Sequence, residues 1–251
     1  MVKFAVLGLQ RTGTTLVVST LNSHPRILSL GELFEDKEKI AAKVVPTYKL
    51  YMKQLDSGPN NAAPQKERIF RYLDTVFAGK NFDAVGFKLM FNQGRKYPPI
   101  SDYLKENRFK IIRVIRKNLL KTCISRFRAR QTGLWDSFQP IFNETRCRET
   151  GIKIPVEDLL HELNSVAAQD KALEQTVLNL NLEYIAVSYE EFNEKKPGET
   201  QKMLNFLGID GQIRLNTRLQ KVSPEELTHS LKNYEEIVDA LKHTPYAEYL
   251  E

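Results

Sequence analysis

The chain has 251 residues, of which 41% are hydrophobic and 27% charged. That is enough apolar material for a sizeable core, and it excludes a disordered or collagen-like chain. A net charge of +6 favours an anionic partner, whether nucleotide, sugar phosphate, nucleic acid or membrane surface, without choosing among them. Cys123 and Cys147 are too few for a disulfide framework, and their spacing fits neither a CxxC redox pair nor a zinc site. The histidines show no HxH or HExxH spacing, so no metal is expected. No stretch approaches the roughly 18 to 20 uninterrupted apolar residues of a membrane helix. The N-terminal run FAVLGL is too short for a secretory signal and is followed closely by Arg11, so a cytoplasmic protein is expected. A single domain over residues 1–251 is the expectation, since one core can grow to about 250 residues before chains usually split.

Phe4 to Leu9 is apolar without alternation, the pattern of a strand covered on both faces. A glycine-bearing turn leads into TTLVVSTLNSHP, which predicts a helix from near Thr14 that stops before Pro25; strand, turn and helix open a βαβ unit. LDSGPNNAAPQ breaks any period and predicts a surface loop. QKERIFRYLDTVF then puts Ile69, Phe70, Leu73, Val76 and Phe77 on one helical face. AVGFKLMF and KIIRVI read as strands, and NLLKTCISRFRARQ as a helix with Leu119, Leu120, Cys123 and Phe127 on its stripe. VEDLLHELNSVAAQDKALEQTVLNLNL predicts a long amphipathic helix with Leu159, Leu160, Leu163, Val166, Ala167 and Leu173 inward, followed by the strand YIAVS. The last stretch reads as helical, with Ser223, Pro224 and Glu226 as its capping residues. Strands alternating with helices predict an α/β fold, a P-loop-like three-layer α/β/α arrangement with a central parallel sheet.

GLQRTGTT, Gly8 to Thr15, matches the P-loop spacing GxxxxGK[ST] at every fixed position but one, where Thr14 replaces the lysine. The glycines still permit a tight turn whose N–H groups and following helix N-terminus point at an anion. The point charge that reaches the β and γ phosphates of a nucleoside triphosphate is gone, and Arg11 offers a cation from inside the loop instead. Thr15 stands where a magnesium-binding hydroxyl would be. The turn therefore predicts a ligand with phosphate-like groups that needs no triphosphate chemistry.

A second basic element runs from Arg108 to Arg130 and contains no Asp or Glu. Arg116 and Lys117 fall just past the predicted strand KIIRVI, where open α/β sheets bind ligands, and Ser125 falls two turns into the next helix. They could hold a second phosphate. Arg126, Arg128 and Arg130 read as a solvated helix face.

Taken together, RTGTT, GELF, VIRKNLLKTCISRFRARQTGLW, SYEEF before a helix ending in FLGI, and the terminal NYEEI and TPYAEYL resemble the sulfotransferases that use 3′-phosphoadenosine 5′-phosphosulfate (PAPS). The likeness is greatest to the bacterial carbohydrate type, the Nod-factor and trehalose sulfotransferases. The resemblance implies that Arg11, Thr12, Gly13, Thr14 and Thr15 bind the 5′-phosphosulfate. It implies that a strand-end arginine and the serine of the following helix bind the 3′-phosphate, here Arg116 and Ser125. The family's interval of eight residues falls between Lys117 and Ser125, so either cation could make that contact. Lysine lacks the bidentate fork of arginine.

The resemblance also implies that Lys88, in GFKLM, approaches the bridging oxygen of the donor. Two residues later the cytosolic enzymes place a catalytic histidine, and this chain has Met90. Glu32, in LGELF, is then the candidate base for the acceptor hydroxyl, with Glu35, Asp36 and His24 as rivals. Tyr189, Glu190 and Glu191 read as a structural turn, Lys221 as an exposed lysine, and Trp135 as core or as one wall of an acceptor pocket. The acceptor pocket is expected from loops after Gly31 and through residues 50–65 and 131–150. The expected activity is sulfuryl transfer from PAPS to a hydroxyl, on a carbohydrate, a glycolipid or another small acceptor, with no metal, no nucleic acid and a possible homodimer. The alternatives are a P-loop kinase, which the missing lysine opposes, and a nucleic-acid-binding module, for which the chain carries no motif.

Overall fold

The computed structural model describes residues 1–41, 44–55, 63–133, 151–210 and 226–250. They form two compact units, one drawn from residues 1–115 and 173–217 and the other from 116–172 and 218–251. Trp135, Cys147, Lys221, Ser223 and Pro224 lie outside the described residues, as do most of the predicted loop at 55–65 and of the expected acceptor loop at 131–150.

The first unit holds a five-stranded parallel sheet: β1 (Val2–Gly8), β2 (Ile27–Glu32), β5 (Ala84–Met90), β6 (Lys110–Ile115) and β7 (Tyr184–Ser188), in the order β2-β5-β1-β6-β7. Two further strands, β3 (Ile40–Ala41) and β4 (Val45–Pro46), pair antiparallel to each other, and the helix α2 (Tyr48–Leu55) follows them. β1 is central because it pairs with β5 on one side and β6 on the other, and Phe4 to Leu7 are accordingly buried. That is the physical reason its sequence shows no polar alternation.

Helices cover both faces, as the α/β/α expectation required. On one face Phe4, Val6, Ile112, Val114 and Val187 pack with Val17, Val18 and Leu21 of α1 (Thr14–Leu21) and with Met203, Leu204 and Leu207 near the end of Lys196–Leu207. On the other, Phe87 meets Phe77 of α3 (Gln65–Phe77) and Phe109 in edge-on ring contacts at centroid distances of 6.3 and 6.1 Å. Edge-to-face geometry sets the positive ring rim against the negative face of its neighbour.

The residues Gln65–Phe77, KIIRVI and YIAVS form the elements expected of them. α3 buries Tyr72, whose hydroxyl donates to the Pro46 carbonyl at 2.7 Å, and leaves Phe70 half-buried against Tyr103. The expected strand AVGFKLMF ends one residue early, since Phe91 starts α4 (Phe91–Lys96), and Pro99–Glu106 follows as α5. In the second unit α6 runs Leu119–Thr132; the long helix α7 runs Val156–Leu180, with its residues from Leu173 on belonging to the first unit. α7 buries Leu159, Leu163, Val166 and Leu173, and leaves Leu160 and Ala167 half-exposed. The C-terminal stretch is broken into Leu227–Ser230, Tyr234–Leu241 and a 3₁₀ turn at Ala247–Leu250, instead of one continuous helix.

Candidate active site

In a parallel sheet all strands end at one edge. Here that edge carries Gly8, Glu32, Met90 and Ser188, where open α/β sheets receive ligands. The turn from β1 to α1 is tight. Arg11 (φ 69°) and Gly13 (φ 92°) both take the left-handed region. Glycine adopts it freely, whereas for arginine it costs roughly 1–2 kcal/mol. A Cβ on Gly13 would lie 2.4 Å from Cδ2 of Tyr189, so the Tyr189 ring, read from sequence as part of a plain turn, closes against the loop. Gly8 is as confined: its Cβ would lie 2.5 Å from the Thr14 methyl. Thr12 is buried and donates its hydroxyl to the Leu9 carbonyl at 2.8 Å, which folds the loop onto its own start. Gly13, the N-cap, brings no side-chain acceptor, and the first turn of α1 holds no acidic residue. The helix N-terminus therefore has no side-chain cap and no first-turn acid to offset its positive end.

Lys88 sits on β5 with its side chain 11% exposed. Its ammonium donates to Thr15 Oγ1 at 2.9 Å and lies 2.8 Å from Glu32 Oε1. Glu32 reaches it through a β-bulge. Leu30 is paired with Phe87, yet Glu32 rather than Gly31 is paired with Lys88, so one extra residue is taken up between them. Without it, alternation would send the Glu32 side chain to the opposite face from Lys88. Gln93, buried near the start of α4, completes the cluster: its Nε2 donates to Glu32 Oε2 at 2.6 Å and its Oε1 accepts from Met90 N at 3.1 Å.

Three predicted residues, Thr15, Glu32 and Lys88, are thus brought into direct contact. Met90, standing where the cytosolic enzymes carry histidine, is buried with its sulfur 3.9 Å from the Thr14 hydroxyl. The rival bases are engaged elsewhere. Glu35 pairs with Lys37 and Lys39, and Asp36 with Lys96. His24 is buried at the end of α1, where its Nδ1 accepts from Arg26 N at 3.2 Å, and burial together with the Arg26 charge lowers its pKa. Gln93 was missed by motif reading. The available signal was its place three residues after Met90, the spacing at which a glutamine caps a helix start.

In the second unit Asn118 caps α6, its side-chain oxygen accepting from Lys121 N at 2.9 Å, while its amide donates to the Tyr249 carbonyl. Arg116 is half-buried, Lys117 exposed and Ser125 buried. The solvated basic face expected after Ser125 is corrected. Arg126 and Arg128 are buried, and only Arg130 is exposed. Arg126 and Arg130 both donate to Glu162 of α7, and Arg128 donates to the Ser230 carbonyl at 3.3 Å. In the first unit Arg113 of β6 pairs with Glu174 at 2.9 Å. The carboxylates absent from residues 108–130 are supplied from distant parts of the sequence. Cys123 is buried, and burial pushes its thiol up to about 12. Among the described residues there is no cluster of three or more potential metal ligands, and no helix long and apolar enough to cross a membrane.

The chain is similar to known proteins in both sequence and fold. The model of the sulfotransferase family matches residues 4–100, the stretch that contains the loop, Glu32, Lys88 and Gln93. Nodulation protein H of Rhizobium tropici is 26% identical over 99% of this chain and 92% of its own length. Nodulation protein H of Rhizobium meliloti strain 1021 is 24% identical over 99% of this chain and 94% of its own. In fold, the chain is similar to a sulfotransferase from Alicyclobacillus acidocaldarius, with a TM-score of 0.51 at 15% identity, covering 100% of this chain and 94% of that one. A lysine-free loop of P-loop-like spacing on a five-stranded parallel sheet, a family match across that loop and relatives matched along its full length make this chain similar to the sulfotransferases.

Proposed function

We propose that this chain is a sulfotransferase that moves the sulfuryl group of PAPS to a hydroxyl of a carbohydrate, glycolipid or other small acceptor by in-line displacement, within a single domain spanning residues 1–251. The observation that carries the proposal is the position of Lys88, which bridges the loop hydroxyl of Thr15 and the carboxylate of Glu32. It sets a cation beside the anion-binding turn and a base beside the cation.

In this scheme the loop residues Arg11, Thr12, Gly13, Thr14 and Thr15 hold the 5′-phosphosulfate. Arg11 and Lys88 neutralise charge on the leaving oxygen, as positioning and electrostatics do in phosphoryl transfer. The acceptor oxygen forms its bond to sulfur as the bond from sulfur to the 5′-phosphate oxygen breaks. Glu32 takes the hydroxyl proton, and adenosine 3′,5′-bisphosphate leaves. The cations of the scheme are side chains, so no metal is assigned a role. Arg116 and Ser125 are assigned to the 3′-phosphate. Partial burial of Arg116, against the exposure of Lys117, favours the arginine, whose fork suits a phosphate. The carbohydrate acceptor is supported by the full-length likeness to two nodulation proteins.

Adenosine 3′,5′-bisphosphate is expected to raise the melting temperature more than ADP at equal concentration, because it alone carries both phosphates of the proposed site. A ligand at 100 times its Kd adds about 2.7 kcal/mol, well within reach of a thermal scan. Equal shifts, or no turnover of PAPS with any carbohydrate hydroxyl in a labelled-donor screen, would remove the proposal.

A further inference from the structure

We propose that Gln93 is the positioning residue of Glu32: its amide, pinned by the Met90 N–H, holds one carboxylate oxygen while Lys88 holds the other. The inference rests on Glu32 being the base of the proposed reaction. It adds a residue that neither the loop motif nor the strand lysine accounts for.

The orientation of the Gln93 amide follows from its partners. The Met90 N–H can only donate, so the Gln93 oxygen must face it at 3.1 Å. The NH₂ end is then turned to Glu32 Oε2, 2.6 Å away, where a carboxylate can only accept. Gln93 is 6% exposed, so water does not compete well for either contact. Glu32 therefore has one oxygen on Lys88 of β5 and the other on Gln93 of α4, and its terminal torsion, otherwise broad, is fixed. The charged groups around it are accounted for. Lys88 faces it directly, Thr15 reaches it through Lys88, and Glu35 and Asp36 on its own segment are paired with Lys37, Lys39 and Lys96. A base fixed from two elements can meet an acceptor hydroxyl without a reorientation step, the kind of alignment on which rate depends steeply.

Gln93→Glu separates this role from helix capping. The new carboxylate can still accept from Met90 N, so the start of α4 keeps its cap. Its other oxygen now meets Glu32 Oε2 with no donor between them. Two carboxylates so close share a proton, which occupies the base until the pH is raised. Q93E is expected to lose at least ~10-fold in kcat near neutral pH, the low end of a general-base contribution. Its KM for PAPS should be unchanged, and the acid limb of kcat should move to higher pH.

A second measurement needs no turnover. The melting-temperature gap between the parent protein and Q93E is expected to widen from about pH 5 to about pH 8, as the shared proton is lost and repulsion sets in. The double variant E32Q/Q93E reverses donor and acceptor, so it should close the gap while remaining inactive. Should Q93E be too unstable to purify, recovery of a folded E32Q/Q93E makes the same point. Parental kcat in Q93E with a pH-independent gap would reduce Gln93 to a helix cap and overturn the proposal. A parent protein that turns over no PAPS, yet shows the widening gap and its closure, would remove the sulfuryl-transfer reading and leave Gln93 as the residue that holds Glu32.

Discussion

Glu32 and Lys88 form a partly buried ion pair whose value depends on what each partner does besides pairing. Lys88 donates to Thr15 on the loop side and faces Glu32 on the other, so it touches both the proposed anion site and the proposed base. Glu32→Gln keeps the size of the side chain and removes the proton acceptor. It is expected to reduce turnover by about 10²- to 10⁴-fold, the range of a lost general base, while adenosine 3′,5′-bisphosphate still shifts the melting temperature as in the parent. An active Gln variant would place the base elsewhere. Motif reading picked Glu32 over Glu35 and Asp36 on resemblance; all three are paired with lysines in the structure, and Glu32 is the one paired with Lys88, which donates to the loop. The choice between Arg116 and Lys117 had no such local clue in the sequence, because exposure is a property of the fold.

Among the elements, the turn from β1 into α1 is the one in which backbone geometry decides most. Gly13 combines a left-handed φ with a tyrosine ring that leaves no room for a Cβ. Gly13→Ala is expected to cost about 1–3 kcal/mol in a urea unfolding series, the scale of strain at such a backbone position. It should also abolish the thermal shift from adenosine 3′,5′-bisphosphate, since the loop must move to clear Tyr189. An unchanged shift would show that the loop tolerates displacement. The glycine itself was legible from spacing. Its second constraint was not, because Tyr189 lies far along the chain and meets the loop only after β7 has joined the sheet beside β6. The bulge between Leu30 and Glu32 was equally hidden: a one-residue slip in pairing leaves no mark on a short apolar strand.

At the scale of the whole molecule, the chain divides into two compact units. The first carries the loop, Lys88, Glu32 and Gln93, and the second carries Arg116 and Ser125. Within the second unit, Glu162 ties α7 to Arg126 and Arg130 of α6. Burial alone would raise its pKa, but the hydrogen bonds and charges of Arg130 and Arg126 outweigh burial and hold it below its ordinary value. A lowered carboxylate stabilises the fold above its unfolded pKa and loses that contribution as the pH falls through the folded one. Glu162→Gln removes the carboxylate that the buried Arg126 donates to and is expected to cost about 3 kcal/mol near neutral pH. The difference should shrink as the pH falls below 4.5. A difference that stays constant in acid would mean that packing, not charge, is what the substitution removed.

By itself the sequence determined the strand and helix pattern, the parallel α/β class, the altered phosphate loop and the residues around it, because each of these is written in local periodicity or in fixed short spacing. Only the tertiary structure decided that Arg126 and Arg128 are buried rather than solvated, that Glu32 faces Lys88, that Gln93 meets Glu32 and that Tyr189 closes against the loop. Those outcomes depend on pairings between segments remote in the chain: a carboxylate from α7, a bulge in β2 and a ring from the end of β7. A single sequence records the residues that make such contacts but not which of them meet.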